Sequence, residues 1–251
     1  AAFTNSNASL DPRDRSLDKT LVAFHRTHEF RSNGTYELPF GPGRQFLNTG
    51  RSWAMRLVEG WQFGGILSWQ SGAPLNIDAP LSSITQATVN KPMIVGDFPK
   101  STGALTKDSA GATFFPGFRQ ITDPAVNGVT TAQGLRNQFG NFAIADAQGN
   151  PVLVNPGPGQ IGTLGLRWIE GPSHTKLDVN LTKRVRIHEN KTFTLRFDVR
   201  NVLNNPWWND PDTNINSVNF GRTIAGGTTG SNAADINTGA RQISINARLD
   251  F

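Results

Sequence analysis

Gln242-Ile243-Ser244-Ile245-Asn246-Ala247-Arg248-Leu249-Asp250-Phe251 alternates without a fault. Ile243, Ile245, Ala247, Leu249 and Phe251 share one face; Ser244, Asn246, Arg248 and Asp250 share the other. Such period-two alternation reads as a β-strand with one oily and one wet face. A soluble sheet can show the same pattern. A bare aromatic as the last residue is less usual, because chain ends are normally frayed and polar.

Four more runs carry the pattern. From His28 to Leu38, Phe30, Ser32, Gly34, Tyr36 and Leu38 alternate with Glu29, Arg31, Asn33, Thr35 and Glu37. Pro39-Phe40-Gly41-Pro42-Gly43 ends that run, since Pro cannot donate to a ladder and Gly-Pro pairs turn the chain. From Gly60 to Gln70, Trp61, Phe63, Gly65, Leu67 and Trp69 form one face, with aromatics near both ends. A hairpin follows. Leu177, Val179, Leu181, Val185 and Ile187 lie on its first oily face, interrupted once by Lys183, and Phe193, Leu195, Phe197 and Val199 lie on its second. His188-Glu189-Asn190 makes the short turn, and Asn204-Asn205-Pro206 closes the return strand.

The runs are long. A tilted strand needs about 9–11 residues to cross a bilayer core, whereas soluble strands average about 5–6. The connections are moderate (39–59), very long (71–173), very short (188–190) and long (204–238). Outer-membrane barrels alternate short periplasmic turns with long outer loops. With 188–190 in the periplasm, 204–238 lies outside and Phe251 returns to the periplasm. The predicted class is all-β: antiparallel outer-membrane-type β-barrel strands with long loops. The organisation expected is one barrel domain over 1–251, with 1–26 as a loop and 78–173 and 204–238 as long extracellular loops. Residues 78–173 are rich in Gly, Pro, Asn and Thr, with room for short strands such as Val152 to Val154.

Composition agrees. The chain of 251 residues is 37% hydrophobic and 17% charged, as a barrel with a polar interior and polar loops should be. No run approaches the ~18 apolar residues of a membrane helix. Cysteine is absent, which removes disulfides and thiolate chemistry together. The net charge is +5, but Arg and Lys stand singly at alternate strand positions rather than on one element, so no nucleic-acid partner is expected. The start, Ala1-Ala2-Phe3, has no initiator Met and no apolar leader; the expectation is a processed protein or part of a longer chain.

His28-Glu29-Phe30 through Tyr36-Glu37-Leu38-Pro39-Phe40-Gly41, and Gly60-Trp61-Gln62 through Trp69-Gln70-Ser71-Gly72-Ala73-Pro74, resemble TonB-dependent outer-membrane receptors. The closest kind is the Oar-like group with an amino-terminal carboxypeptidase-regulatory-like domain. Leu195-Arg196-Phe197-Asp198-Val199-Arg200-Asn201-Val202-Leu203-Asn204-Asn205-Pro206, Asn219-Phe220-Gly221-Arg222 and the run from Arg241 to Phe251 agree, in family order. The resemblance implies the carboxy-terminal portion of a 22-stranded barrel that binds or takes up an extracellular ligand in the bacterial outer membrane. It also implies that Phe251, Leu249, Ala247, Ile245 and Ile243 form the signal read by the barrel-assembly machinery. The family's plug and partner-gripping motif are missing. Five strands cannot close a barrel, since the smallest usual one has about eight. The expectation is therefore an incomplete barrel, its edges paired by upstream strands or by other copies.

Sites for chemistry are sparse. Gly157-Pro158-Gly159-Gln160-Ile161-Gly162 matches a dinucleotide pattern, but two prolines remove donors and no helix follows. His25, His28, His174 and His188 lack metal spacing. Asp198 between Arg196 and Arg200 reads as a lumenal charge ladder. No Gly-x-Ser-x-Gly elbow is present. No catalytic residue, cofactor or metal is expected. Trp207 and Trp208 either stack on a sugar or aromatic ligand or sit at the lipid boundary. Asp210 and Asp212 offer oxygen ligands without a full Ca²⁺ loop. Two rival classes stay open: a structural protein whose copies pair strand edges into a ring, tube or fibre at the cell surface, and a soluble β-sandwich that binds a ligand.

Overall fold

The computed structural model describes residues 14–41, 43–46, 57–80, 90–109, 111–124, 142–157, 160–188, 191–223 and 240–251. The strands in chain order are β1 (Glu29–Glu37), β2 (Trp61–Gln70), β3 (Pro74–Leu75), β4 (Met93–Ile94), β5 (Thr106–Asp108), β6 (Gly111–Thr113) and β7 (Arg119–Thr122), then β8 (Phe142–Ala145), β9 (Pro151–Val154), β10 (Ile169–Glu170), β11 (His174–His188), β12 (Lys191–Arg200), β13 (Arg222–Thr223) and β14 (Gln242–Asp250). A 3₁₀ turn spans Arg15–Asp18. The fold is all-β and antiparallel, and no sheet closes into a barrel among the described residues.

The chain divides into two compact units. One, here the wall, comprises His28–Gln70, Ser173–Trp207 and Gly226–Phe251. The other, here the core unit, comprises Ala1–Thr27, Ser71–Pro172 and Trp208–Ala225.

The wall is a single five-stranded sheet in the order β1-β2-β11-β12-β14. Its strands are the five long alternating runs, each within three residues of its sequence-predicted limits. Alternation locates strands well here because it persists over whole runs and each run stops at a breaker. The terminus of β12 shows the breaker chemistry. Asn201 and Asn204 adopt φ of 50° and 51°, the left-handed region that Asn tolerates better than most residues. Asn201 Nδ2 donates to the Asn205 carbonyl at 2.8 Å, and the Asn205 amide donates back to Asn201 Oδ1 at 3.1 Å. Asp178 of β11 accepts the Asn201 amide at 2.8 Å. The Asn-rich sequence thus ends the strand by supplying local hydrogen bonds that the ladder no longer offers.

The core unit holds three small sheets, β10-β3, β13-β6-β5 and β4-β9-β8-β7. The short strand expected at Val152 to Val154 is β9. None of these strands joins the wall sheet. Ile77, Phe98, Phe115, Ile144, Leu153, Leu164, Ile169 and Ile215 form a conventional buried cluster. Phe115 is its hub, with ring centroids 5.3 Å from Phe114 and 5.1 Å from Phe220. Part of the long link between β12 and β14 is built into this cluster. The Ile215 amide donates to the Asp78 carbonyl and the Asp78 amide to the Thr213 carbonyl, both at 3.0 Å. Asn155 Nδ2 donates to Asp123 Oδ2 at 2.7 Å, and Asn216 Nδ2 donates to Asn155 Oδ1 at 2.8 Å. Such buried amide networks substitute for ladders where strands are only two to four residues long.

Lys91 is the unusual member of this core. Its side chain is 0% exposed, and its ammonium lies 2.6 Å from Asp78, whose side chain is 41% exposed. Burial lowers the Lys91 pKa from 10.5, against the opposing pull of the Asp78 carboxylate, and Arg167 adds to the lowering. Two results are expected. Asp78→Asn should destabilise by about 3 kcal/mol, the low end for stranding a buried charge because Asp78 is partly wet, while Lys91→Met should be near neutral. The pH dependence has a defined sign. Between the lowered folded pKa and the ordinary lysine value, the unfolded chain binds more protons than the folded one, so stability rises with pH across that window. Urea unfolding at successive pH values should show this rise in the wild type and not in Lys91→Met. Equal slopes in the two proteins would overturn it.

Candidate functional site: a membrane-facing wall

Register decides what alternation leaves open. Two alternating strands present a common face only if they pair in phase, and a one-residue slip reverses every side chain. In the wall all four pairings are in phase, apart from a bulge between Arg186 and His188 at the turn end of the β11–β12 pair. One row runs Tyr36, Phe63, Leu181, Phe197, Ile245, and the next oily row runs Gly34, Gly65, Val179, Val199, Ile243. Between them lies a wet row, Thr35, Gly64, Asn180, Asp198, Ser244, and beyond it another, Glu37, Gln62, Thr182, Arg196, Asn246. The result is a continuous apolar band across five strands, backed by a continuous polar face.

Burial in the wall is inverted relative to the core unit. Among the described residues, every fully buried hydrophobic side chain belongs to the core unit, whereas the buried side chains of the wall are the polar Thr182, Lys183 and Asn201. Phe30 is 52% exposed and Ile243 67%. Contiguous exposed apolar surface on this scale marks a surface built for a partner or a membrane.

Lys183 is a charge set within the oily face, between Leu181 and Val185, and its geometry explains it. It stands opposite Trp61 and Leu195. Its ammonium donates to the carbonyls of Leu57, at 2.8 Å, and Glu59, and lies 5.2 Å from the centroid of the Trp61 ring. Trp61 Nε1 donates to the same Leu57 carbonyl at 2.7 Å. A lysine whose stem lies in the apolar face while its head caps carbonyls beside a Trp behaves as a residue at a membrane boundary. At the other end of β2, Trp69 stacks on His28, centroids 6.3 Å apart. From Trp61 to Trp69 is about 27 Å along the strand. At barrel tilts that is about 20 Å of depth, close to the ~25 Å apolar band of outer-membrane barrels.

The polar face is a ladder of same-face ion pairs. Lys176 meets Asp178 at 3.1 Å, Arg196 meets Asp198 at 2.7 Å, and Arg248 meets Asp250 at 2.6 Å. Each pair is partly exposed and worth little singly. Together they make a face suited to water. Asp198 is engaged with Arg196 and lies 3.4 Å from Asn246 Nδ2.

The residues singled out from sequence fall as follows. Ile243, Ile245, Ala247 and Leu249 line the oily side of β14, the edge strand, and Phe251 just beyond it is 89% exposed. Trp207 stacks flat on His174, centroids 3.8 Å apart and planes 5° apart. Trp208 is buried in the core unit, with Lys107 5.9 Å from its ring centroid. Asp212 accepts from its own loop, through the Asn214 amide at 3.0 Å and the Ser217 hydroxyl. Asp210 keeps much of its surface open, but partial burial of the carboxyl raises its pKa against the pull of Arg26. Asp210 and Asp212 are thus held differently, and among the described residues no three His, Asp or Glu side chains are placed to share a metal ion. In the glycine-rich stretch, Pro158 and Gly159 lie outside the described residues, and the Gly157 amide donates to Gln160 Oε1 at 3.2 Å. The boundary role of Lys183 was missed in sequence, where it reads only as an interruption. Its signal was Trp61, which register places directly beside it.

These features define a wall of the kind found in outer-membrane barrels. Residues 1–243 match the family model described as outer membrane beta barrel domain. The chain belongs to that family, whose setting is the bacterial outer membrane. Comparison with curated proteins and with solved structures found no match.

Proposed function

We propose that this chain forms part of a TonB-dependent receptor-like barrel, with no enzymatic role, that binds or takes up an extracellular ligand across the bacterial outer membrane. The in-register apolar band is the observation that carries the membrane part of this reading. The receptor part rests on the ordered sequence segments, two of which, Leu195 to Pro206 and Arg241 to Phe251, supply β12 with its Asn-rich end and β14. Outer-membrane lipid meets the oily face, and the barrel-assembly machinery reads Phe251 together with Leu249, Ala247, Ile245 and Ile243. The two sheet edges, β1 and β14, need partners in lipid, because each unsatisfied backbone group there costs several kcal/mol. In this reading other strands of the same receptor supply them. The open edges also favour a second reading, in which copies of this chain pair β1 with β14 into a surface assembly.

Fractionated native membranes separate these readings. An antibody to residues 208–223 should detect a heat-modifiable outer-membrane band far above 27.3 kDa. A 27.3 kDa species in regular polymers would favour the assembly, and a soluble monomer would sink both. In the same assay Phe251→Ala should lower the inserted yield severalfold. Its side chain is 89% exposed, so a loss of yield would not reflect lost packing.

A further inference from the structure

A cleft of about 480 Å³ lies wholly within the core unit. Ligand sites commonly fall in this size range. Its lining is chemically lopsided. Lys19, Lys100 and Arg167 face a single carboxylate, Glu170. Glu170 is already engaged, since Thr27 Oγ1 donates to its Oε2 at 3.0 Å. Among the described residues none of the three cations forms an ion pair. A concave, partly apolar surface with unbalanced positive charge focuses its field on anions.

The cations are positioned rather than loose. Lys100 Nζ lies 4.9 Å from the centroid of the Trp168 ring, and Trp168 is pinned by its own Nε1, which donates to the Phe98 carbonyl at 2.8 Å. Arg167 adopts φ of 49°, uncommon for a long side chain. Its amide donates to Asn76 Oδ1 at 2.7 Å, and its guanidinium donates to the Leu21 carbonyl on the opposite stretch of chain. A left-handed arginine held from two sides is a backbone outlier of the kind that collects at binding sites. A guanidinium has five N–H donors in a planar fork, suited to carboxylate and phosphate oxygens.

We propose that this cleft binds a small oxyanionic ligand, one bearing several carboxylates or a phosphate group, with Arg167 and Lys100 as the principal contacts and Lys19 completing the charge. Trp168 forms the rigid floor that holds Lys100 in place. The site goes beyond the receptor reading and does not require it, because every residue involved belongs to the core unit.

The test uses the full chain in a neutral detergent, with citrate and pyrophosphate as probes and sucrose as the uncharged control, read by calorimetry and tryptophan fluorescence. At least one anion should bind, sucrose should not, and rising ionic strength should weaken the binding. The double variant Lys19→Gln, Lys100→Gln should lower affinity about tenfold or more. Arg167→Asn should do the same, since Asn tolerates the left-handed backbone but carries no charge. Should Arg167→Asn fail to fold by circular dichroism, the lysine double variant decides alone. Binding of neither anion, or unchanged affinity in the charge variants, would overturn the site. None of these readings depends on membrane insertion, so a failure of the receptor reading would leave a positive result standing.

Discussion

Val179→Arg is expected to destabilise the inserted wall by about 2–4 kcal/mol, while Ser244→Arg changes it little. Val179 lies on the oily face of β11, midway between Thr175 and Lys183, and pairs with Gly65 and Val199. Gly65 leaves room for a longer side chain, so the expected cost is that of a charge near the bilayer midplane rather than a clash. Ser244 lies on the polar face directly opposite Asp198, where an arginine meets water and a carboxylate. Leu195 would be a poorer probe, because register places it beside the boundary residue Lys183. Thr194 would be a poor control, because it lies between Arg184 and Arg248. Urea unfolding from lipid vesicles measures both substitutions. Equal tolerance at Val179 and Ser244 would reject the orientation of the wall.

The 251-residue chain by itself should sediment in mild detergent well above 27.3 kDa. The edges are β1 and β14, each nine residues long, and the core unit's strands do not extend this sheet. A strand of that length turns about half its backbone N–H and C=O groups outward. At several kcal/mol for each group left unsatisfied in lipid, two bare edges cost on the order of tens of kcal/mol. Any available strand should therefore be captured, including one from another copy. With Ser244→Cys, cross-linking should join β14 of one copy to a neighbour. A monodisperse 27.3 kDa monomer in detergent would refute this and would require an edge-to-edge closure absent from the described sheet.

The five wall strands were legible because their pattern is local. Phe30 to Tyr36 and Ile243 to Leu249 announce themselves by period two, and Asn204-Asn205-Pro206 and Pro39-Phe40-Gly41-Pro42-Gly43 announce the stops. The core unit was not legible in that way. Its strands are two to four residues long, too short for alternation to register, and they are stabilised by long-range contacts such as Ile215 with Asp78 and Asn216 with Asn155. The cationic cleft was hidden for the same reason: Lys19, Lys100 and Arg167 are far apart in the chain and share no motif.

By itself, then, the sequence determined the strand class of the wall, the identity of its two faces and the absence of thiol chemistry, because each depends on side chains a few residues apart. The tertiary structure alone decided which strands are neighbours, that their oily rows align, that β1 and β14 are the edges, and that Lys183 caps the Leu57 and Glu59 carbonyls beside Trp61. It also decided that Lys91 is buried against Asp78. Those properties arise from register and from contacts between residues distant in the chain, and a period-two pattern carries no information about which partner a strand will choose or in which phase.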